Sequence, residues 1–452
     1  MSTITPERLQ SLYKPAPRYT SYPTAPAWDH LSPEIYANHL KEVESPLSLY
    51  FHIPFCKTMC LFCGCSVILN RKVENEERYV HFLMKEIDLV TQLTGKKEVL
   101  QLHFGGGTPT KLSQDLFAKL FEKIRSAFSI DFSGEIAIEI DPRTVFEDQG
   151  AKLRFLKAMG FNRVSFGVQD TNERVQEAIK RHQSREMTVQ TFALAKAIGF
   201  QSINLDLIYG LPFQTLETFS KTIEEILQMR PDRIALFSYA KVPWLKAHQK
   251  AIPDETLPSI EEKFAIYAMA RRRLVEAGYI GIGMDHFALE QDDLALSYHQ
   301  KTLKRNFQGY TTSPSSDLIG FGVTSIGFVR NGYFQNQKEL ASYYASLEKG
   351  LLPTHRGKIL SEEDLLRKWV IHTLMCSFIL NKRTFEELFY RPFDQHFYPL
   401  QTQIKELIHQ GLLEESDVAL TATPLGELFI RNIVMIFDAY LMNQPQKYST
   451  SI

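Results

Sequence analysis

Four of the chain's five cysteines fall within ten residues, at Cys56, Cys60, Cys63 and Cys65, with Cys376 alone far downstream. A secreted disulfide framework spreads its cysteines along the chain, so this clustering points to metal or redox chemistry. The run Cys56-Lys57-Thr58-Met59-Cys60-Leu61-Phe62-Cys63 reads Cys-x3-Cys-x2-Cys. Structural zinc takes four ligands, usually as two pairs well separated in sequence. No second Cys-x2-Cys or His-x3-His set follows, and Cys376 has no companion. Three thiolates on one tight loop suit three corners of an iron–sulfur cubane. The fourth iron is then open to a chelating ligand, such as the amino and carboxylate groups of an amino acid. A second candidate is Gly105-Gly106-Gly107-Thr108-Pro109, whose glycines permit close backbone approach to a ligand. It is not a phosphate-binding P-loop, because no Gly-Lys-Ser/Thr follows.

Both loops need elements to hold them. From residue 47 to about 285, strand-like and helix-like segments alternate, the sign of a parallel sheet with right-handed crossovers. The expected strands are Leu47–Ile53, Val99–Phe104, Glu135–Ile140, Arg163–Gln169, Ser202–Ile208 and Arg233–Tyr239, with a further one at Tyr279–Met284. The expected helices between them are Asn75–Leu93, Gln114–Phe128, Glu186–Ile198 and Leu216–Met229. The cysteine loop directly follows the first strand and the glycine loop the second, so both lie at strand C-terminal ends, where βα-barrels do chemistry.

The strands alternate instead of running continuously apolar. Leu47, Leu49, Phe51 and Ile53 share one face, and Ser48, Tyr50 and His52 the other. Likewise Gln101 and His103, Glu135 and Glu139, Ser165 and Gln169, and Asn204 and Asp206 oppose apolar neighbours. Parallel sheets rarely face bulk water. A polar face shared by five strands therefore predicts a curved, incompletely closed barrel around a polar cavity. The fold class is α/β: a partial, open βα-barrel of about six parallel strands, with an N-terminal arm and a mostly helical C-terminal domain. The expected boundaries are 1–35 for the arm, 36–335 for the barrel with its extension, and 336–452 for the helical domain.

The arm, from Tyr13 through Pro15, Pro17, Arg18, Tyr19, Tyr22 and Pro23, reads as extended, without a helix. The C-terminal region predicts helices at Glu362–Leu380 and Leu400–Leu413, then a hairpin and another helix, a winged-helix shape. Residues 400–432 carry only Lys405 and Arg431 as cations, and the net charge of the chain is −1, so nucleic-acid binding is not expected. The N-terminus lacks the basic-then-apolar layout of a signal peptide, and no apolar run is long enough for a membrane helix, so a cytoplasmic protein is expected.

The form Cys-x3-Cys-x-Phe-Cys, with Phe62 before the last cysteine, resembles the signature of the radical S-adenosylmethionine (SAM) superfamily. Longer motifs extend the resemblance over nearly the whole chain to its oxygen-independent coproporphyrinogen-oxidising family. They are Pro17–Thr24, Tyr50–Cys56, Cys63-Gly64-Cys65, Glu139–Arg143, Gly167–Asp170, Asp206–Pro212, Gly283–Ala288, Arg305–Tyr310 and Gln335–Gln337. The resemblance implies a [4Fe–4S] cluster on Cys56, Cys60 and Cys63, and an activity role for Cys65 and Tyr50. It places Tyr50, Gly106, Glu139 and Ile326 around a first SAM. It places Phe62, Gly107, Thr108, Gln169, Arg181, Asp206 and Ala240 around a second.

The implied reaction is cleavage of SAM to a 5′-deoxyadenosyl radical, which takes hydrogen from a propionate β-carbon of coproporphyrinogen III. Loss of carbon dioxide and one electron leaves a vinyl group, twice over, on rings A and B, giving protoporphyrinogen IX. The implied partners are the porphyrinogen and a reduced flavodoxin or similar electron donor, and a monomer is expected. Lys14, Arg18, Arg305 and Arg330 are the candidate cations for the substrate's carboxylates. Two alternatives remain: a haem-binding chaperone relative, and a radical enzyme acting on another tetrapyrrole.

Overall fold

The protein is described by a computed structural model that covers residues 4–441 and 448–450; the ends of the expected arm and tail, 1–3, 442–447 and 451–452, lie outside the described residues. Six strands follow one another in space as in sequence: β1 (Leu47–Ile53), β2 (Glu98–Gly106), β3 (Ser129–Ile140), β4 (Arg163–Gln169), β5 (Ser202–Tyr209) and β6 (Arg233–Ser238). Every neighbouring pair among them is parallel. Helices Val73–Thr94, Gln114–Ala127, Arg185–Ile198 and Leu216–Met229 make crossovers and cover the outer face. Ser113, Ser184 and Thr215 cap three of them with side-chain oxygens.

The period-two pattern explains the layering. Leu49, Phe51, Leu102, Phe104, Ile138, Val164, Phe166 and Leu205 are all buried under the helices. The Phe51 ring lies 5.1 Å from Phe104 and 4.7 Å from Phe321. The opposite face is enclosed too, since all seven residues of β1 are buried. The chain thus forms the open α/β barrel with a helical C-terminal region that its sequence predicts.

The sheet is larger than the sequence pattern predicts, with thirteen strands among the described residues. Leu318–Phe321 joins parallel to β1, then Ile326–Val329, Gly332–Asn336, Thr354–Ile359 and Asp29–His30 continue as antiparallel neighbours. These strands are two to six residues long, too short for a periodic signal. The strand expected at Tyr279–Met284 spans Tyr279–Ile282. It is an antiparallel edge, reached through His286–Leu289 beside β6.

The arm departs from its expected form at both ends, with a short helical turn at Ala25–Ala27 and a helix starting at Pro33 near its end. Pro6–Leu12 is a helix, capped by Thr5 and opened by a proline at its first turn, where the missing N–H costs nothing. From Tyr13 the arm is largely extended. Its Tyr19 donates to Asp438 Oδ2 at 3.0 Å, and Tyr22 Oη accepts from Ala439 N at 3.2 Å, so it is bound to the C-terminal region.

That region contains helices Glu362–Ser377 and Gln401–His409, and a three-stranded antiparallel sheet of Ile379–Asn381, Ala419–Ala422 and Leu413–Glu415. Arg431 is buried and donates to Ala16 O and Thr450 O. Among the described residues no helix is long and apolar enough to cross a membrane.

Candidate active site

The two loops singled out in the sequence meet at the C-terminal ends of β1 and β2. Gly107 N donates to Ile53 O at 2.8 Å and Thr108 N to Phe55 O at 3.0 Å, which fixes the glycine turn against the start of the cysteine loop. Gly106 has φ +109°, and a Cβ there would lie 2.5 Å from the His52 ring. A Cβ on Gly107 would lie 2.6 Å from the Pro54 backbone. Only glycine fits both places.

The cysteine loop is clamped from the far side by the segment after β6. Lys246 donates to Cys65 O at 2.7 Å and Gln249 to Phe62 O at 2.8 Å, while His248 Nε2 lies 2.8 Å from Cys63 O. Gln249 also reaches Ala240 O at 3.3 Å, which sets Ala240 beside Phe62. These clamp residues were invisible in the sequence, because they lie about 185 positions away and carry no motif.

A cavity of about 940 Å³ opens beneath the loop. Cys56, Cys60, Phe62, Cys63, Cys65, Gly106, Gly107, Thr108, Glu139, Gln169, Arg181 and Asp206 all line it. Three expected site residues lie behind this wall. Tyr50 is buried, with its hydroxyl 3.1 Å from His52 Nδ1 and its ring stacked on His103 at 5.8 Å. Ile326 lies two strands from Tyr50, since Gly320 on the strand between them pairs with Tyr50 and abuts the Ile326 backbone. Ala240 is the third, held beside Phe62 by Gln249.

The electrostatics separate the groups. Burial pushes the Cys56 thiol up to about 11. Cys63 is drawn down to about 7, because the Cys65 thiol hydrogen-bonds to it, and Cys65 is raised in turn by the same bond. Arg143 and Arg181 each point an N–H at Cys60 Sγ from 3.7 Å, and both pair with Asp141. Two guanidinium groups thus set positive charge beside that sulfur. Arg143 and Asp141 belong to the motif after β3, although sequence reasoning gave them no role.

Among the described residues no three His, Cys, Asp or Glu side chains converge as ligands of one ion. A cubane, with irons at separate corners, spreads its thiolates wider than one ion does. The donor set of three loop thiolates flanked by arginines suits such a cluster.

On the polar face, Glu139 accepts from His103 Nε2 at 3.2 Å and from Gly106 N at 3.1 Å. Burial opposes its ionisation, yet these bonds hold its carboxyl below the usual range. Its side chain is 44% exposed, and that exposure is to the cavity. Asp206 differs. It accepts from Asn204 at 2.7 Å and Ser165 at 3.2 Å, with no cation in contact, and burial followed by the charge of Glu139 raises it to about 6. Arg181 donates to Gly167 O at 2.6 Å and Gln183 Oε1 at 3.1 Å, which holds it across the floor.

Of the four candidate substrate cations, Lys14 and Arg330 are exposed, Arg330 near Glu44 at 3.6 Å. Arg18 is half-buried and Arg305 is buried. Arg18 pairs with Asp285 at 2.7 Å, and Arg305 donates to the carbonyls of Arg18 and Tyr19.

An open parallel barrel with a three-cysteine loop after its first strand, a glycine turn after its second and a polar lumen defines the radical SAM class. The sequence profile of the Radical SAM superfamily matches residues 50–226, and that of the HemN C-terminal domain matches residues 360–429. The chain is 42% identical to the oxygen-independent coproporphyrinogen III oxidase of Synechocystis sp. over 450 residues, covering 98% of this chain and 96% of that protein. It is 42% identical to the Helicobacter pylori protein of the same description, with all of both chains covered. The solved structure of the Escherichia coli coproporphyrinogen III oxidase, described as a radical SAM enzyme, superposes with a TM-score of 0.90 at 39% identity, covering 94% of this chain and 98% of that one. The chain belongs to the oxygen-independent coproporphyrinogen III oxidase family. Membership of the radical SAM superfamily brings with it a [4Fe–4S] cluster and SAM as cofactors, and an oxidoreductase's chemistry.

Proposed function

We propose that the chain oxidatively decarboxylates the ring A and B propionates of coproporphyrinogen III without oxygen, giving protoporphyrinogen IX for haem synthesis. The observation that carries this reading is the single cavity that joins the cysteine loop, the glycine turn and the polar lumen. Bound there, the cluster and SAM supply one-electron cleavage of a sulfonium bond and a carbon-centred radical able to take hydrogen from an unactivated C–H. The chain's own part is to bind, orient and exclude water.

Cys56, Cys60 and Cys63 hold the cluster, and Arg143 and Arg181 offset its charge at Cys60. Tyr50, Gly106, Glu139 and Ile326 surround the first SAM. Glu139 is supported in that role by a carboxylate that turns its free acceptor sites to the cavity. Phe62, Gly107, Thr108, Gln169, Arg181, Asp206 and Ala240 form a second SAM site; all but Ala240 line the same cavity, and Gln249 ties Ala240 to Phe62. Cys65 and Tyr50 act in turnover. A reduced flavodoxin or similar carrier supplies the electron. A cytoplasmic monomer fits a reducible cluster loop and a cavity made within one chain.

The test is an anaerobic assay of reconstituted protein with coproporphyrinogen III, SAM and dithionite. The expected products are protoporphyrinogen IX, methionine and 5′-deoxyadenosine. Stable haem retention without a vinyl product would make the chain a chaperone instead.

A further inference from the structure

The helix Glu362–Ser377 turns two basic side chains inward four residues apart, so that they share one face. Lys368 Nζ lies 3.3 Å above the centroid of the Phe328 ring and 5.4 Å from that of Tyr333. Among the described residues no carbonyl, hydroxyl or carboxylate accepts from it. His372 has its Nε2 buried with no hydrogen-bond partner. Arg305 comes from the hairpin packed against the same helix, where Tyr310 donates to Met375 O at 2.9 Å and Arg305 lies over the Tyr310 ring at 4.4 Å. Its Nε and Nη2 are used on backbone carbonyls, but Nη1 is buried and unpartnered.

His372 senses both of the others. Burial, then Lys368 and Arg305, hold His372 far below its ordinary range, and burial draws Lys368 down to about 7. Buried charge is costly unless paired, and buried donors are normally satisfied. Two buried nitrogens without partners, beside a lysine that rests only on aromatic rings, and among the described residues no acidic side chain paired with any of the three, call for an anion.

The neighbourhood says what kind. Phe328 lies two residues beyond Ile326 on one strand, so the two side chains share a face. With Trp28, Tyr333 and Phe307 they form one apolar cluster, in which Trp28 stacks on Tyr333 at 5.1 Å. Lys368 thus borders an aromatic cluster on the strand that carries Ile326. A carboxylate on a short arm of a broad apolar ring meets both surfaces at once.

We propose that Lys368, His372 and Arg305 form a carboxylate-binding site for one propionate of the tetrapyrrole, which makes the C-terminal helix a substrate-recognition element. This rests on the porphyrinogen reading above. The contact is charge-assisted, and Lys368 is its main donor.

The test is fluorescence titration of the reconstituted full chain with two probes, coproporphyrin III and its tetramethyl ester, which has the same ring and no carboxylate. Lys368→Met should loosen coproporphyrin III about tenfold, the loss of one charge-assisted contact, and leave the ester unchanged. Lys368→Arg should restore most of the affinity. In turnover, Lys368→Met should raise KM more than it lowers kcat. Equal loss for acid and ester would mark Lys368 as structural and overturn the proposal. So would unchanged binding of the acid by Lys368→Met in a protein whose wild type turns over coproporphyrinogen III. A wild type that neither binds coproporphyrin III nor converts the porphyrinogen would overturn the substrate assignment, and this proposal with it.

Discussion

Asp206→Asn should make the protein more stable near neutral pH while damaging its function. Asp206 is raised from 3.8 to about 6, first by burial and then by the charge of Glu139. A folded-state value above the unfolded one means that the folded chain holds the proton more tightly. The associated stability is present in full below 3.8 and is lost as pH rises through about 6. Two pH units correspond to about 3 kcal/mol. The carboxylate keeps some exposure to the cavity, which reduces the expected effect to about 1–2 kcal/mol. Asparagine keeps the shape and removes the charge, so it removes the loss. Urea unfolding of the apoprotein at pH 4.5 and pH 7.5 measures it. The stability of the variant relative to wild type should rise by about 1–2 kcal/mol between the two conditions. Equilibrium binding of SAM to the loaded protein at pH 7.5 should weaken in the same variant. A stability difference that does not change with pH would refute the reasoning, since it would show that the neighbours Asn204 and Ser165 already hold the charge at no cost.

Cys63→Ala in anaerobically reconstituted protein should abolish the broad visible absorbance and SAM cleavage, and should leave far-ultraviolet circular dichroism unchanged. A full zinc complement without iron in the wild type would reject the cluster. Deletion of residues 1–24 should sharply reduce turnover while the cluster absorbance is kept, and should lower Tm, because buried Tyr19 and Tyr22 go with it. Unchanged turnover would leave the arm a mere packing strap. Two carboxylates of β3 should behave oppositely. Glu135→Gln should cost about 2–3 kcal/mol of unfolding free energy with SAM affinity intact. Glu139→Gln should weaken SAM binding about tenfold with little change in urea midpoint. A reversed pattern would refute the assignment of Glu135 to stability and Glu139 to the cofactor.

The alternation in β1 to β5 made the barrel legible, because a buried parallel sheet keeps a polar strand face only where that face lines an enclosed cavity. The cysteine and glycine loops were legible because each needs residue types that few structural roles demand at that spacing. What stayed hidden has local causes. Leu318–Phe321 joins the barrel beside β1, yet four residues carry too short a pattern to announce a strand. Pro6–Leu12 was hidden by the prolines that follow it, although Thr5 and Pro6 form an ordinary helix start. The clamp of Lys246, His248 and Gln249 acts on backbone carbonyls of the cysteine loop, a contact that leaves no trace in residue type on the receiving side. Lys368 and His372 carry no motif within their helix, and only the fold brings them beside Phe328 and Arg305.

The two ends of the lumen explain why chemistry belongs at one of them. At the N-terminal end of the strands, Glu135 accepts from Gln101 at 2.9 Å and pairs with Arg163 and Arg233, and Arg233 pairs with Asp292 at 2.6 Å. Burial opposes ionisation there, but Arg163 and then Arg233 overcome it and draw Glu135 down to about 2. Those charges are matched to one another. Four residues further along the same strand and face, Glu139 has a histidine and one backbone N–H, and its other acceptor positions open on the cavity. Asp206, facing the same space, has amide and hydroxyl donors and no cation in contact. The sequence shows both glutamates on one face and cannot rank them, since rank depends on the arginines of β4 and β6. The structure sorts them by what is left unsatisfied: a closed ion-pair floor that holds the strands together, and above it carboxylates kept short of partners, where amino and hydroxyl groups of a cofactor would complete them.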